Sequence, residues 1–205
     1  MSAAPVSARE AILAAVRDAR PPAVARPQPL WQEARAMGGL SRLDTFTAAA
    51  TAAGAAVSPV SPSEVARVVS GAVGQDASVL SYTAHASSTV SSPDDPHALA
   101  SLDVLVCESS LGVAENGAVW IATSDTAFRA ALFLAARVVI VVGEGDLVDD
   151  LHQAYERIDV RSHTFGAFVA GPSKTADIEQ SLVIGAHGPK ELTLVVVRAA
   201  DPVNP

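Results

Sequence analysis

A single cysteine, Cys107, stands in 205 residues, and that scarcity removes a whole set of architectures. One thiol cannot build a disulfide framework, a zinc finger or a cysteine-ligated iron–sulfur cluster within the chain. Its setting, the apolar run at residues 102–107, reads as a buried strand, so a small core hydrophobe is expected rather than a reactive thiol. Aromatic side chains are also few, 4% of the sequence, which disfavours a sandwich filled with rings. Ala and Val carry the apolar load instead, as suits helices close-packed on a Val-rich sheet. Basic residues are outnumbered, 14 Lys and Arg against 22 Asp and Glu. The formal net charge of −8 and pI near 5.0 argue against nucleic acid or an anionic membrane as partner. No apolar run reaches the ~18–20 residues of a membrane span; residues 128–142 are interrupted by Arg129 and Arg137. The first residues show no basic stretch followed by an apolar core, so no signal peptide is expected and the protein is placed in the cytoplasm. His85, His97, His152 and His163 lack ligand spacing, so no metal site is expected.

What is present is apolar and regularly punctuated. Apolar residues make up 49% of the chain and the mean hydropathy is +0.30, enough for a large core in one domain with an added arm. Residues 7–20 read as an amphipathic helix: Ser7 and Glu10 form a capping box, and Ile12, Leu13 and Val16 line one face. Pro21 and Pro22 stop it, and the proline-rich stretch to Pro29 reads as an extended linker. Residues 1–30 are thus expected as a helical arm and linker, and residues 31–205 as the main domain. The arm's apolar face must be buried on its own domain or on a partner subunit.

From residue 41 the pattern alternates. Helices are expected over 41–54, 62–73, 125–136, 147–158 and 175–184, and strands over 55–60, 78–82, 102–107, 118–122, 137–142, 165–170 and 192–197. Residues 83–97 read as a long loop. Strands alternating with helices imply right-handed crossover units, hence an α/β fold with an open, mainly parallel sheet and flanking helices. Trp31 and Trp120 are read as packing residues, Trp120 within a strand.

Polar chemistry is concentrated in residues 171–190, GPSKTADIEQSLVIGAHGPK. Gly171-Pro172 ends a strand. Ser173 or Thr175 then caps the expected helix, leaving backbone N–H groups beside Lys174, a setting that holds a phosphate or carboxylate. Asp177 and Glu179 follow in the first turns; the same pattern also describes a well-capped helix that needs no ligand. Such a strand–turn–helix unit is expected to face the crevice at the strand carboxyl ends. His187 lies on a glycine-flanked turn before the last strand, an exposed and available position. The second constellation is Glu115-Asn116-Gly117 between two strand-like runs. Asn-Gly is a strong hairpin signal, so a plain turn with a solvated Glu is one reading. The other places Glu115 in the same crevice as Lys174, as acid, base or nucleophile.

These two blocks resemble the LUD (lactate utilisation) domain family, and the length and helical arm are similar to its lactate utilisation protein C type. The resemblance covers roughly residues 40–198 and rests on the 171–197 block and on the segment from Gly112 to Trp120. It implies an open α/β sheet of the NagB/RpiA/CoA-transferase-like kind. It also implies a role as the cluster-free component of a system oxidising L-lactate to pyruvate, with iron–sulfur clusters in partner subunits and none bound here. The family pattern falls on Glu115, Gly117, Gly171, Pro172, Ser173, Thr175, Asp177, Ile178, Glu179, Gly185, His187 and Gly188. Glu115, Glu179 and His187 are the candidates for catalysis. Asn116, Gly117, Gly171, Ser173, Lys174, Thr175, Asp177 and Gly188 are candidates for binding a small carboxylate or phosphorylated ligand. A stand-alone acyl-transfer or sugar-phosphate enzyme using Glu115, or a non-catalytic assembly module, are the alternatives.

Overall fold

The computed structural model describes residues 7–22, 24, 39–175 and 182–199. The chain divides into two compact units, Met1–Ala36 and Met37–Pro205. The first contains helix α1, Ala8–Asp18. The Ser7 hydroxyl accepts from the Glu10 N–H, and the Glu10 carboxylate accepts from the Ser7 N–H at 2.9 Å, so the expected capping box forms. Every residue of α1 is exposed, Ile12, Leu13 and Val16 included. Trp31 lies outside the described residues.

In the second unit, five strands form a fully parallel sheet: β1 (Ala56–Val60), β2 (Val79–Ser81), β3 (Val104–Ser109), β6 (Arg137–Gly143) and β11 (Glu191–Val197), in the order β1-β11-β6-β3-β2. Its central strands are runs of Val, Ile and Leu because both faces are covered. Leu105, Cys107, Val138, Ile140, Leu192 and Leu194 point to one face, with helices α2 (Arg42–Ala52) and α4 (Thr126–Leu134). Val104, Val106, Val139, Val141 and Val195 point to the other, beneath Val65 and Val69 of α3 (Val65–Val73). The Arg137 guanidinium donates to the Ala72 and Val73 carbonyls at 3.0 Å each, pinning the negative end of α3 to the amino edge of the sheet.

Two expected strands belong elsewhere. Residues 118–122 and 165–170 do not join the parallel sheet; they build a second sheet, β7-β4-β5-β8, from β4 (Gly112–Val113), β5 (Ala118–Thr123), β7 (Leu147–Val148) and β8 (Phe165–Val169). The reason is local. The Asn116-Gly117 turn joins β4 to β5 as an antiparallel hairpin, Gly112 facing Val119, and a hairpin leaves no room for the crossover helix that parallel pairing requires. Leu147 and Val148 are drawn into β7, which shortens the expected helix to α5, Leu151–Arg157. Residues 83–95 hold no helix or strand, and a single 3₁₀ turn follows at Pro96–Leu99.

The helix expected over 175–184 is overturned at its described ends, and residues 176–181 lie outside the described residues. Its described ends are strands β9 (Lys174–Thr175) and β10 (Val183–Ile184), paired antiparallel, Thr175 to Val183 and Lys174 to Ile184. Thr175, Val183 and Ile184 are β-branched and favour this geometry. The Gly185 N–H, at φ +76°, donates to the Ser173 carbonyl at 2.9 Å and closes the base of the pair.

Cys107 is fully enclosed, and burial pushes its thiol up to about 12. A disulfide reagent at pH 8 is expected to leave the native protein unlabelled and to react with one thiol per chain in denaturant. Rapid labelling of the native protein would contradict the buried placement.

Candidate functional site

The site is built by two turns that fold onto each other. Gly171-Pro172-Ser173 leaves β8, and Gly185 to Lys190 leads from β10 into β11. The Ser173 N–H donates to the Pro189 carbonyl and the Gly185 N–H to the Ser173 carbonyl, both at 2.9 Å. Gly188 sits so close that a Cβ there would lie 3.0 Å from the Ser173 Cβ. The Lys190 N–H then donates to the Ala136 carbonyl at 2.8 Å. These turns therefore lie at the amino ends of β6 and β11, not at the carboxyl ends where the sequence placed them. Lys174 and Thr175 are in a strand, and residues 176–181, which would carry the expected cradle of helix N–H groups, lie outside the described residues.

A cavity of about 300 Å³ opens here. Ser173, Lys174, His187 and Gly188 contribute its polar side, and Leu132, Phe133 and Val138 an apolar wall. No carboxylate lines it among the described residues. Lys174 and His187 are exposed, Ser173 is half-buried, and Gly171 is buried. The Lys174 ammonium donates to the Ala53 carbonyl at the end of α2. That bond uses one of its three donors and fixes the charge at the negative end of a helix. Asp177 and Glu179 lie outside the described residues.

Glu115 does not line this cavity. It is exposed, and its carboxylate accepts from the Leu151 N–H at 2.9 Å while Asp150 accepts from the Gln153 N–H. Two of the four unpaired N–H groups at the start of α5 are satisfied in this way. Asn116 turns its side-chain oxygen onto the Ala118 N–H at 3.0 Å. The geometry of this block is that of a hairpin turn and a helix cap.

Helix α2 connects the two motifs. A Cβ on Gly117, at φ +68°, would lie 2.2 Å from the Ala50 nitrogen; one on Gly171, at φ +72°, would lie 2.1 Å from the Ala53 oxygen. Both glycines are required by the close approach of this helix as well as by their left-handed backbone. At its other end, Arg42 grips Asp149 with Nε at 2.6 Å and Nη2 at 3.2 Å, and Nη1 reaches the Leu147 carbonyl. The hydrogen bond from Arg42 holds the Asp149 carboxyl below its ordinary range, with a smaller part from Gln153.

The carboxyl ends of β3 and β6 carry a separate cleft of about 480 Å³, lined by Glu108, Ser109, Ser110, Asp146, Arg157 and His163 among others. The Glu108 carboxylate accepts from the Thr83 hydroxyl at 2.5 Å. Sequence reading passed over these residues. The one available signal was the abrupt Glu-Ser-Ser at the end of the 102–107 run. Among the described residues no group of three or more His, Cys, Asp or Glu side chains is placed to hold a metal ion.

A family model described as the LUD domain matches residues 94–197. The chain is similar to the lactate utilization protein C of Geobacillus sp. (strain WCH70), 32% identical over 96 residues, which is 43% of this chain and 39% of that protein. It is similar to the protein of the same name from Shouchella clausii (strain KSM-K16), 33% identical over 100 residues, 46% of this chain and 44% of that one. The matches thus span about two fifths of the length of these curated relatives. The fold matches the crystal structure of a DUF162 family protein from Deinococcus radiodurans with a TM-score of 0.58 at 20% identity, covering 77% of this chain and 99% of that one.

Alanine at Gly117 or Gly171 combines a left-handed backbone with overpacking, each costing about 1–3 kcal/mol. Both variants are expected to melt well below the parent, and a melting temperature within two or three degrees of it would refute the close approach. The Arg42–Asp149 pair gives stability that is full above the ordinary carboxylate range, about pH 3.9, and that fades as the pH falls through the lowered value in the folded state. Arg42→Ala should therefore lower stability at pH 7 and flatten its loss between pH 4 and 2, measured by urea unfolding across that range.

Proposed function

The chain belongs to the LUD domain family, and from that premise we propose that it is the cluster-free component of a system that oxidises L-lactate to pyruvate. The curated relatives carry the name lactate utilization protein C. The observation that carries the reading to a site is the cavity at Lys174: a lysine and a histidine converge on it, and its far wall is apolar. A small 2-hydroxy acid has the matching shape. Its carboxylate meets the two donors that Lys174 retains and the imidazole of His187, while its methyl group rests on Leu132, Phe133 and Val138. The carboxyl-end cleft offers the opposite field, with Glu108, Asp146 and Asp159 against Arg157, and repels an anion.

Electron transfer falls to partner subunits in this proposal. Cys107 is the chain's one cysteine, and its buried thiol is held well above the range in which a thiolate ligand forms. Iron–sulfur clusters in separate subunits then accept the electrons, and this chain contributes the anion site or an assembly surface. The N-terminal helix, with its exposed apolar face, is a candidate contact for those subunits.

Calorimetric titration with L-lactate, with acetate as a control lacking the hydroxyl, tests the site. Lys174→Ala is expected to weaken binding at least tenfold, about 1.4 kcal/mol, with His187→Ala smaller in effect. Unchanged affinity in Lys174→Ala would remove the cavity from the reading. Normal growth on L-lactate of a strain lacking this gene and any second lactate system would remove the role itself.

A further inference from the structure

Among the described residues, the sheet β7-β4-β5-β8 ends on an unpaired edge at β8. β8 pairs with β5 from Thr123 facing Phe165 to Val119 facing Val169, and no strand among the described residues takes its other side. Such an edge presents a row of unpaired N–H and C=O groups, which proteins ordinarily blunt with lysine, proline or a bulge. Residues 164–170 read Thr-Phe-Gly-Ala-Phe-Val-Ala, without a charge or a proline.

Large apolar side chains stand uncovered beside this strand. Phe133 is 49% exposed with its ring edge-on to Phe165 at 6.0 Å, and Tyr155 is 59% exposed with its ring 5.7 Å from that of Phe168. Val160, 60% exposed, shares a cleft with Trp120 and residues 165–168. Apolar surface gathered around an open strand edge marks a place where another strand is added.

We propose that β8 pairs antiparallel with β8 of a second copy of this chain across a two-fold axis, joining two four-stranded sheets into one of eight. The strand's own sequence fits this occupant. With the axis at Ala167, Gly166 faces Phe168, Phe165 faces Val169 and Thr164 faces Ala170. None of these pairs carries charge, so two molecules of net charge −8 meet along a neutral seam. Phe168 packs on the side of Trp120 and α5, while Phe165 and Val169 pack on the side of α4. The second copy's Phe168 is therefore set over Gly166, next to Trp120, a small-against-aromatic pairing that the strand supplies from its own sequence. On the opposite face its Phe165 comes to Val169, which also lines the Lys174 cavity, so the second copy helps wall that cavity. The pairing rests on the strand edge and is independent of what the cavity binds.

Light scattering and sedimentation velocity on the full chain test it. The expected mass is twice 20.9 kDa at micromolar concentration. T164K/A170K sets like charges opposite each other at two exposed positions outside the strand and should raise the dimer dissociation constant at least tenfold. T164K/A170E sets opposite charges there and should restore it. Circular dichroism and melting temperature check that both variants are folded. A167C should cross-link on mild oxidation, because facing Cα atoms in an antiparallel pair lie about 4.5–5.5 Å apart. A chain that stays monomeric to hundreds of micromolar overturns the proposal. So does a dimer that T164K/A170K leaves intact, or one in which A167C fails to cross-link. A monomer whose T164K/A170K form loses binding to a co-expressed partner subunit gives the edge to that partner's strand instead, and equally overturns pairing between copies.

Discussion

Contact between helix α2 and two glycine turns holds the second unit together in a way that no single side chain could. Ala50 lies against Gly117 and Ala53 against Gly171, each closer than any Cβ would allow. Phe46, on the same helix, is fully buried and lies near Gly112. At its start Arg42 holds Asp149, and at its end the Ala53 carbonyl holds the Lys174 ammonium. One eleven-residue helix thus sets the hairpin carrying Glu115, the turn carrying Ser173 and the position of the lysine. Small residues along it, Ala50 and Ala53 above all, are as necessary as the glycines they meet. Packing at this density leaves no slack, because interiors are filled like organic crystals.

This arrangement changes the meaning of the signature residues. Gly117 and Gly171 read from sequence as ligand-binding positions, yet each has a sufficient structural cause in the approach of α2. Glu115 and Asn116 are likewise employed in capping α5 and closing a turn. Among the described residues, the signature side chains that remain available for chemistry are Ser173, Lys174 and His187, grouped at the amino ends of the parallel strands. The polar cleft at the carboxyl ends belongs to different residues. Two polar clefts with different described linings therefore sit at opposite ends of the sheet.

Much of the architecture was legible because local rules decided it. Ser7 caps its helix as expected, and the continuous apolar run at β6 became a central parallel strand buried on both sides. Cys107 sits in the core as its neighbours indicated. The failures were of partnership. Nothing in residues 118–122 or 165–170 reveals that they pair antiparallel in a second sheet; that follows from the tight Asn116-Gly117 turn, whose effect on sheet membership is non-local. The run 175–184 carries helix-like spacing, but at its described ends the β-branched Thr175, Val183 and Ile184 pair as strands before the Gly185 turn. The carboxyl-end cleft was hidden because its members come from separate elements and share no spacing along the chain.

Among the described residues the first strand of the parallel sheet has only the last one beside it: β1 pairs with β11, Ala56 facing Thr193. Well over a hundred residues lie between the two partners, so their union carries the loop-closure entropy of almost the whole domain. Folding of a sheet joined in this way is slowed by its non-local contacts. During synthesis the strand emerges early and waits. Until β11 leaves the ribosome, β1 lacks this partner strand, and the central sheet is completed only after all its other strands have been made.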